Sequence, residues 1–590
     1  VAGADCDSLT SVERALIEHV ERGKLLDFAC EQPVDEGAMR AWDDSRTVRA
    51  WVLRDIMRGR LAPDPDPHGL RLRGVRIVGR VDLENITSTV WLELYDCLLE
   101  DGLVACDARV AGLVLSGCRL EHPTRPPLNA HNLATSRVDV RRAVVTGHSA
   151  RGVVNLANAH IGGLDCTGAT LRNDSGPALN GEHLQVDQSV FLDRGFEASG
   201  TGKRGTVRLF GAHLGGLDCT GATLHNDSGP ALHGEHLQVD QSVYLRGKFK
   251  ATGAGQHGAI CLLGARFGGQ LSCFGATLYN DSGPAFHGEH LQVDRGMVLR
   301  EGFYATGAGE LGAVRLLNAV LGGLNCAGAT LRNDSGPALL ATRLQVNGPM
   351  FLDDGFEATG AGVVAVSLNE VRVDGRLVFD PAWLEHVTNP RMRLSVDRLV
   401  YVGLPEGIST DSWLCLLRKG TPKYAAQPYQ QLASAHRVAG HDSQARRIQI
   451  EQRRAQIHRR ALTGRAERTW ARVTGLTLGY GYQPWRALVG LLAVITAAAI
   501  LTAILGAHGG LAQVPRSPTF APIGCTLVER IGVGLDLGTP LITSGARAHC
   551  DATDTATGQI LTIIGWTLRL LAWAFATLFI AGFTGAVRKS

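Results

Sequence analysis

Between His68 and Phe379 the apolar residues of this chain recur in fives, most clearly where a central leucine follows a small residue two positions earlier. The stretch after Gly211 reads AHLGG, LDCTG, ATLHN, an extra DSG, then PALHG, EHLQV, DQSVY and LRGKF, followed by the insert KATGAGQHG. A coil that turns a corner every five residues has room inside for one large and one small side chain per face. Neighbouring coils hydrogen-bond at about 4.8 Å, so stacking supplies a core that no single coil possesses. The pattern therefore predicts a mainly β solenoid over residues 67–380. Its clearest part, about 160–370, holds four repeats of 53 or 54 residues, "LDCTGATLRNDSGPAL" at Leu164 returning at Leu217, Leu271 and Leu324. Each repeat spans two coils, and about thirteen coils would make a rod of about 60 Å.

The flanks change period. "TSVERALIEHVERG" carries Thr10 and Glu13 in capping-box relation, and Val48, Trp51, Val52 and Ile56 share one helical face, so residues 1–66 are expected to form a helical cap over the first coil. Residues 381–484 are expected to hold a linker and a basic helical hairpin hinged at Gly440, which resembles a single TPR-like repeat. Two apolar runs follow, Trp485–Ala507 and Ile560–Gly582, each long enough to cross a hydrocarbon core of about 30 Å as a helix. The last segment, 485–590, thus reads as a two-span hairpin with a connecting loop at 508–559.

Fives of this kind resemble the pentapeptide-repeat pattern A-(D/N)-L-x-x, a resemblance that implies a right-handed quadrilateral β-helix with the small and leucine positions inward; a less square β-helix stays open. Within that frame the four glycine motifs, GTGKRG at Gly200, GAGQHG at Gly253, GAGELG at Gly307 and the relic GAGVVA at Gly360, fall in the inserts. A dinucleotide fingerprint must follow a buried strand and open a helix. Here "TVRLFGAHLGGLDC" follows, which has no helical period, so these are expected to be corner loops, and no cofactor is assigned. Asp174, Asp227, Asp281 and Asp334 recur inside N-D-S-G-P, a set of turn formers. No catalytic or zinc-binding spacing stands apart from the repeat. The ladder Cys166, Cys219, Cys273 and Cys326 is read as inward-facing core. The row His183, His236 and His290 is read as surface, its members about 9–10 Å apart, and the HGEH pairs at His233 and His287 are not assigned a metal.

Charge adds little to the solenoid and much to its C-terminal side. The net formal charge is +3, and residues 161–360 carry nineteen acidic against fourteen basic side chains, too even for nucleic-acid mimicry. Between Arg446 and Arg472, however, nine arginines (446, 447, 453, 454, 459, 460, 465, 468 and 472) face two glutamates, directly before the first apolar run, which points to anionic lipid headgroups. With Arg588 and Lys589 after the second run, the positive-inside rule puts both ends in the cytoplasm. No secretory signal is visible in the first thirty residues. The outer loop then exposes Cys525 and Cys550 to oxidation, and a disulfide is expected there, with the eleven other cysteines reduced. The loop also holds "CTLVERIGVGLDLGTPLI", in the order of a span, re-entrant segment, span module. Arg569, nine residues into the second run, either snorkels to an interface or lines a polar seam between subunits.

Taken whole, the "GATLxNDSGPA" repeats, "PYQQLASAHRVAGHDSQARR" and "GYGYQPWRAL" resemble a group of actinobacterial membrane proteins often labelled membrane-associated oxidoreductases. No flavin, nicotinamide or metal motif accompanies that label. The expectation is a non-enzymatic scaffold at the inner face of the plasma membrane, binding a protein partner or large cytosolic assembly, with homo-oligomerisation left open; the alternative is an oligomeric two-span pore gated by the solenoid, with an oxidoreductase a distant third.

Overall fold

A computed structural model describes residues 9–30, 34–361, 363–380, 393–459, 464–481, 483, 485–514, 523–539 and 544–589. The chain divides into two compact units, Val1–Ala439 and Gly440–Ser590.

In the first unit, short parallel strands stack into three sheets, one of 21 strands and two of 13. This is a β-solenoid of about thirteen turns. Each turn adds one strand to each narrower sheet. From Gln238 onward it adds two to the broad sheet, as at Gln238–Val239 and Val243–Tyr244. Strand pairing continues past residue 380, because Leu394 pairs with Val366 and Val400 with Arg372.

The core explains why the repeat is two turns long. On one narrow sheet, Leu171, Ala198, Leu224, Ala251, Leu278, Ala305, Leu331 and Ala358 succeed one another along the axis. Two residues earlier in each turn stand Ala169, Phe196, Ala222, Phe249, Ala276, Phe303, Ala329 and Phe356, all fully buried. Each turn therefore supplies either Ala-x-Leu or Phe-x-Ala, and the two alternate. Neighbouring turns interlock large against small at roughly constant volume, as close packing requires.

Both ends of the stack are covered. At the start, α1 (Ser11–Glu21) has the capping box of Thr10 and Glu13, while α2 (Glu36–Arg40) and α3 (Ala50–Met57) follow. Two strands of this cap join the solenoid, Leu26–Asp27 and Thr47–Arg49. At the other end, α4 (Thr410–Cys415) sets the buried Trp413 edge-on against Phe379 and Tyr401. From α5 (Gln427–Val438), Gln427 and Gln431 donate to the Leu399 and Tyr401 carbonyls at 2.9 and 2.7 Å. These bonds satisfy edge groups that would otherwise template further pairing.

The second unit is helical: α6 (Asp442–His458), α7 (Arg465–Leu478), α8 (Trp485–Leu505), α9 (Leu527–Gly538), α10 (Ala546–His549) and α11 (Ala556–Lys589). A two-stranded antiparallel ribbon joins Leu511–Gln513 to Cys550–Ala552. Two stretches, Trp485–Gly510 and Ala556–Thr584, are long and apolar enough to span a membrane, with only 17% and 11% of their most apolar windows buried. A core helix of a soluble domain would be mostly buried.

Candidate functional site

The glycine-motif loops are corners of the solenoid. Gly253 ends the strand Lys250–Gly253, and the next element is the strand Ile260–Cys261. Gly258 has a φ of +93°, which suits glycine. A Cβ on Gly253 would lie 2.8 Å from the Ala259 Cα. The loops at Gly200, Gly253 and Gly307 also stack on the N-D-S-G-P corner of the next turn. The amide of the buried Asn280 donates to the Gly255 and Pro284 carbonyls at 2.9 and 2.8 Å and accepts from the Ser282 N–H at 3.0 Å, while Gly255 N–H donates to Ser282 Oγ at 2.6 Å. Asn173, Asn226 and Asn333 repeat the brace. Asparagine holds this corner, and Asp281 beside it is exposed.

The cysteine ladder is fully buried, and desolvation pushes these thiols up, Cys326 to about 12. Burial likewise raises the Cys261 thiol to about 11. Such thiols carry almost no thiolate at neutral pH and are poor nucleophiles. His183, His236 and His290 are exposed, each at a left-handed corner with φ of +53° to +56°. Each HGEH pair shares its second histidine with this row, and its first is placed differently. His233 is half-buried and 3.4 Å from Glu235, while His287 is buried and 3.5 Å from Glu289, which also binds Arg315 at 2.5 Å. Burial, then the Arg315 charge, holds the His287 imidazole below its usual range.

A surface feature absent from the sequence reading runs along the broad sheet. Strand register aligns Asp165, Phe191, Asp218, Tyr244, Ser272, Val298, Asn325 and Phe351 in one outward column. Phe191 is 40% exposed, and Tyr244, Val298 and Phe351 are half-buried. Apolar groups thus recur every second turn, about 9–10 Å apart, separated by acids and small polar groups. Beside them run the exposed pairs His160–Asp187 and His213–Asp240, at 3.1 and 2.9 Å. The signal was the two-turn repeat itself, read across rather than along the pentads.

In the second unit α9 lies antiparallel along α8 between the two long helices. A Cβ on Gly534 would meet Thr502 Oγ1 at 2.3 Å and Ala499 Cα at 2.6 Å, and one on Gly538 would meet Ile495 Cα at 2.9 Å. Leu537 packs on Gly565 of α11. Since Ile495 is the midpoint of α8, α9 ends halfway along it. There Asp536 is buried and its carboxylate accepts from the Ser544 N–H. At the other end, Cys525 and Cys550 form a disulfide next to the Thr526–Glu529 capping box. Cys525, Cys550 and Glu529 lie within 4.8 Å of one another, but disulfide sulfurs are not thiolate ligands. Arg569 is exposed near the middle of the second apolar stretch, with no carboxylate partner among the described residues. Of the nine arginines of the basic segment, Arg446, Arg447, Arg453, Arg454 and Arg459 lie on or just after α6, and Arg465, Arg468 and Arg472 on α7; Arg460 lies outside the described residues.

No family model, curated protein or solved structure matches this chain. The likeness to pentapeptide repeats and to the actinobacterial group rests on residue pattern alone.

Proposed function

We propose that this protein is a membrane-anchored scaffold, with a right-handed, pentapeptide-like solenoid on the cytoplasmic side that binds a protein partner along its wall. It sits in the plasma membrane through α8 and α11, with both termini inside, and has no catalytic role. The observation that carries this reading is the column Phe191, Tyr244, Val298 and Phe351, a periodic apolar stripe whose members alternate with Asp218, Ser272 and Asn325. Its spacing of two turns suits an extended partner segment or a repeated one. Replacing Phe191, Tyr244 and Phe351 together by Ser is expected to abolish partner recovery in crosslinking from intact membranes while leaving thermal stability within a few degrees. Recovery of the same partner by the triple variant would refute the stripe.

A second reading, that the hairpin is an oligomeric pore, draws on α9. A helix that stops halfway along a membrane span leaves terminal carbonyls at mid-depth. Non-helical backbone is tolerated there only when buried in protein or lining water. Arg569 adds a charge near the same level, nine residues or about 13 Å into the second apolar run, deep within a hydrocarbon core of about 30 Å. Neither feature serves an anchor, and both serve a polar seam between copies. Purified protein in planar bilayers is expected to give unitary currents that R569L alters. Silent bilayers from protein that is oligomeric in detergent would leave the anchor.

A further inference from the structure

The turn between α7 and α8 and the adjoining face of α6 enclose a cleft of about 410 Å³. Three guanidinium groups line it, Arg454 from α6, Arg472 from α7 and Arg486 from the first turn of α8, together with Tyr480 and Gln483. No carboxylate is among the described lining residues. Arg454 is partly balanced by Glu451, at 2.7 Å one turn back on α6. Arg472 and Arg486 have no carboxylate partner among the described residues.

Three cations drawn from three helices repel one another, although Arg454 and Arg472 are exposed and only Arg486 is half-buried. An arrangement of this kind is favourable when an anion occupies its centre. Guanidinium forks match phosphate oxygens in bidentate geometry, and the phenol and the amide supply neutral donors. The left-handed residues Gly479 and Tyr480, with φ of +54° and +60°, turn the chain sharply and bring Arg472 and Arg486 to one cleft. A Cβ on Gly475 would strike the Tyr480 ring at 2.7 Å, so the small residue seats the phenol.

Position identifies the source of the phosphate. Arg486 is the second residue of α8, where the apolar run begins, and its neighbour Trp485 is 56% exposed. A tryptophan at the mouth of an apolar helix marks the headgroup level of a bilayer. We propose that this cleft binds the phosphate ester of an anionic lipid headgroup as a defined site. The phosphate chemistry stands on the cleft alone; the lipid as its source rests on the membrane reading of α8.

The test uses the full-length protein. Membrane fractionation first reports whether the chain is in the bilayer at all. Protein purified in mild detergent is then exchanged into vesicles of phosphatidylcholine with or without phosphatidylglycerol, and retained lipid is counted by native mass spectrometry. A parallel titration with inorganic phosphate follows thermal stability. R472Q/R486Q is expected to lower phosphatidylglycerol retention about tenfold, the loss of one or two charged hydrogen bonds. The control R446Q/R453Q removes the same charge from exposed positions of α6 outside the cleft and is expected to change retention less than about twofold. Equal losses in the two pairs would show diffuse attraction and overturn the site. Stabilisation by inorganic phosphate without lipid retention would overturn the lipid assignment. A soluble chain that still binds phosphate through Arg472 and Arg486 would overturn the membrane reading and leave the phosphate site standing.

Discussion

The side chain that sets the character of the solenoid is the phenylalanine of every second turn. The sequence shows one large and one small inward residue per five, and it shows that two turns make a repeat. It does not show why the repeat is double, because that depends on which residues of neighbouring turns meet. With Phe249 beside Ala222 and Ala276, and Ala251 beside Leu224 and Leu278, both columns alternate in size and out of phase. Removing the ring in F249A is expected to cost about 3–5 kcal/mol, the usual cost of a phenylalanine-sized cavity that the surroundings cannot close. The double variant F249A/A251L restores much of the lost volume in the wrong column, where it stacks three leucines and leaves three alanines in a row. It is expected to recover less than half of the loss in denaturant titrations followed by circular dichroism. Full recovery would show that volume matters here and phase does not.

At the level of elements, the strongest device is the tie between α1 and the strand leading into α3. Glu13 is fully buried and would be pushed up by desolvation. Arg49 reverses this through its side chain, with Nη2 to Oε2 at 2.5 Å and Nε to Oε1 at 2.8 Å, helped by the backbone N–H groups of Thr10 and Arg49. The carboxyl is therefore held below its ordinary value of 4.5. A group with a depressed folded pKa stabilises fully above its unfolded pKa and loses that contribution as pH falls through the folded value. E13Q is expected to cost about 1–3 kcal/mol at pH 7, toward the lower end because Arg49 is partly in water. The gap from wild type should narrow steadily below about pH 4.5. A pH-independent gap would assign Glu13 a packing role. The capping box was legible because it is local. Arg49 as the partner was not, since 36 residues separate it from Glu13, and neither was the closing role of Trp413, Gln427 and Gln431, which lie where a generic helical hairpin was expected. The end of α9 was equally hidden: "GVGLDLG" reads as a short apolar segment, and only Gly534 and Gly538 against α8 show how far it reaches.

For the whole molecule, the question that governs every functional reading is which side of a membrane each part occupies. The arginines before α8 and the basic residues Arg588 and Lys589 at the end of α11 argue for both ends inside, and the disulfide of Cys525 and Cys550 argues for an oxidising environment around the connecting segment. The described free cysteines make this measurable with little engineering. Cys30 is exposed, while the solenoid thiols of Cys166, Cys219, Cys273 and Cys326 are buried and raised by desolvation, so they stay silent to maleimides until the protein unfolds. Cys525 and Cys550 are bonded and also buried, which makes them poor reporters of the outer side. Ala548 on α10 is exposed, and A548C supplies the missing one. A membrane-impermeant maleimide is expected to label A548C in intact cells without reduction and to reach Cys30 only after permeabilisation. Labelling of Cys30 from outside would invert the topology and move the solenoid away from cytoplasmic partners. Recovery of the chain in the soluble fraction would remove the anchor and the pore together, since both need α8 and α11 in a bilayer.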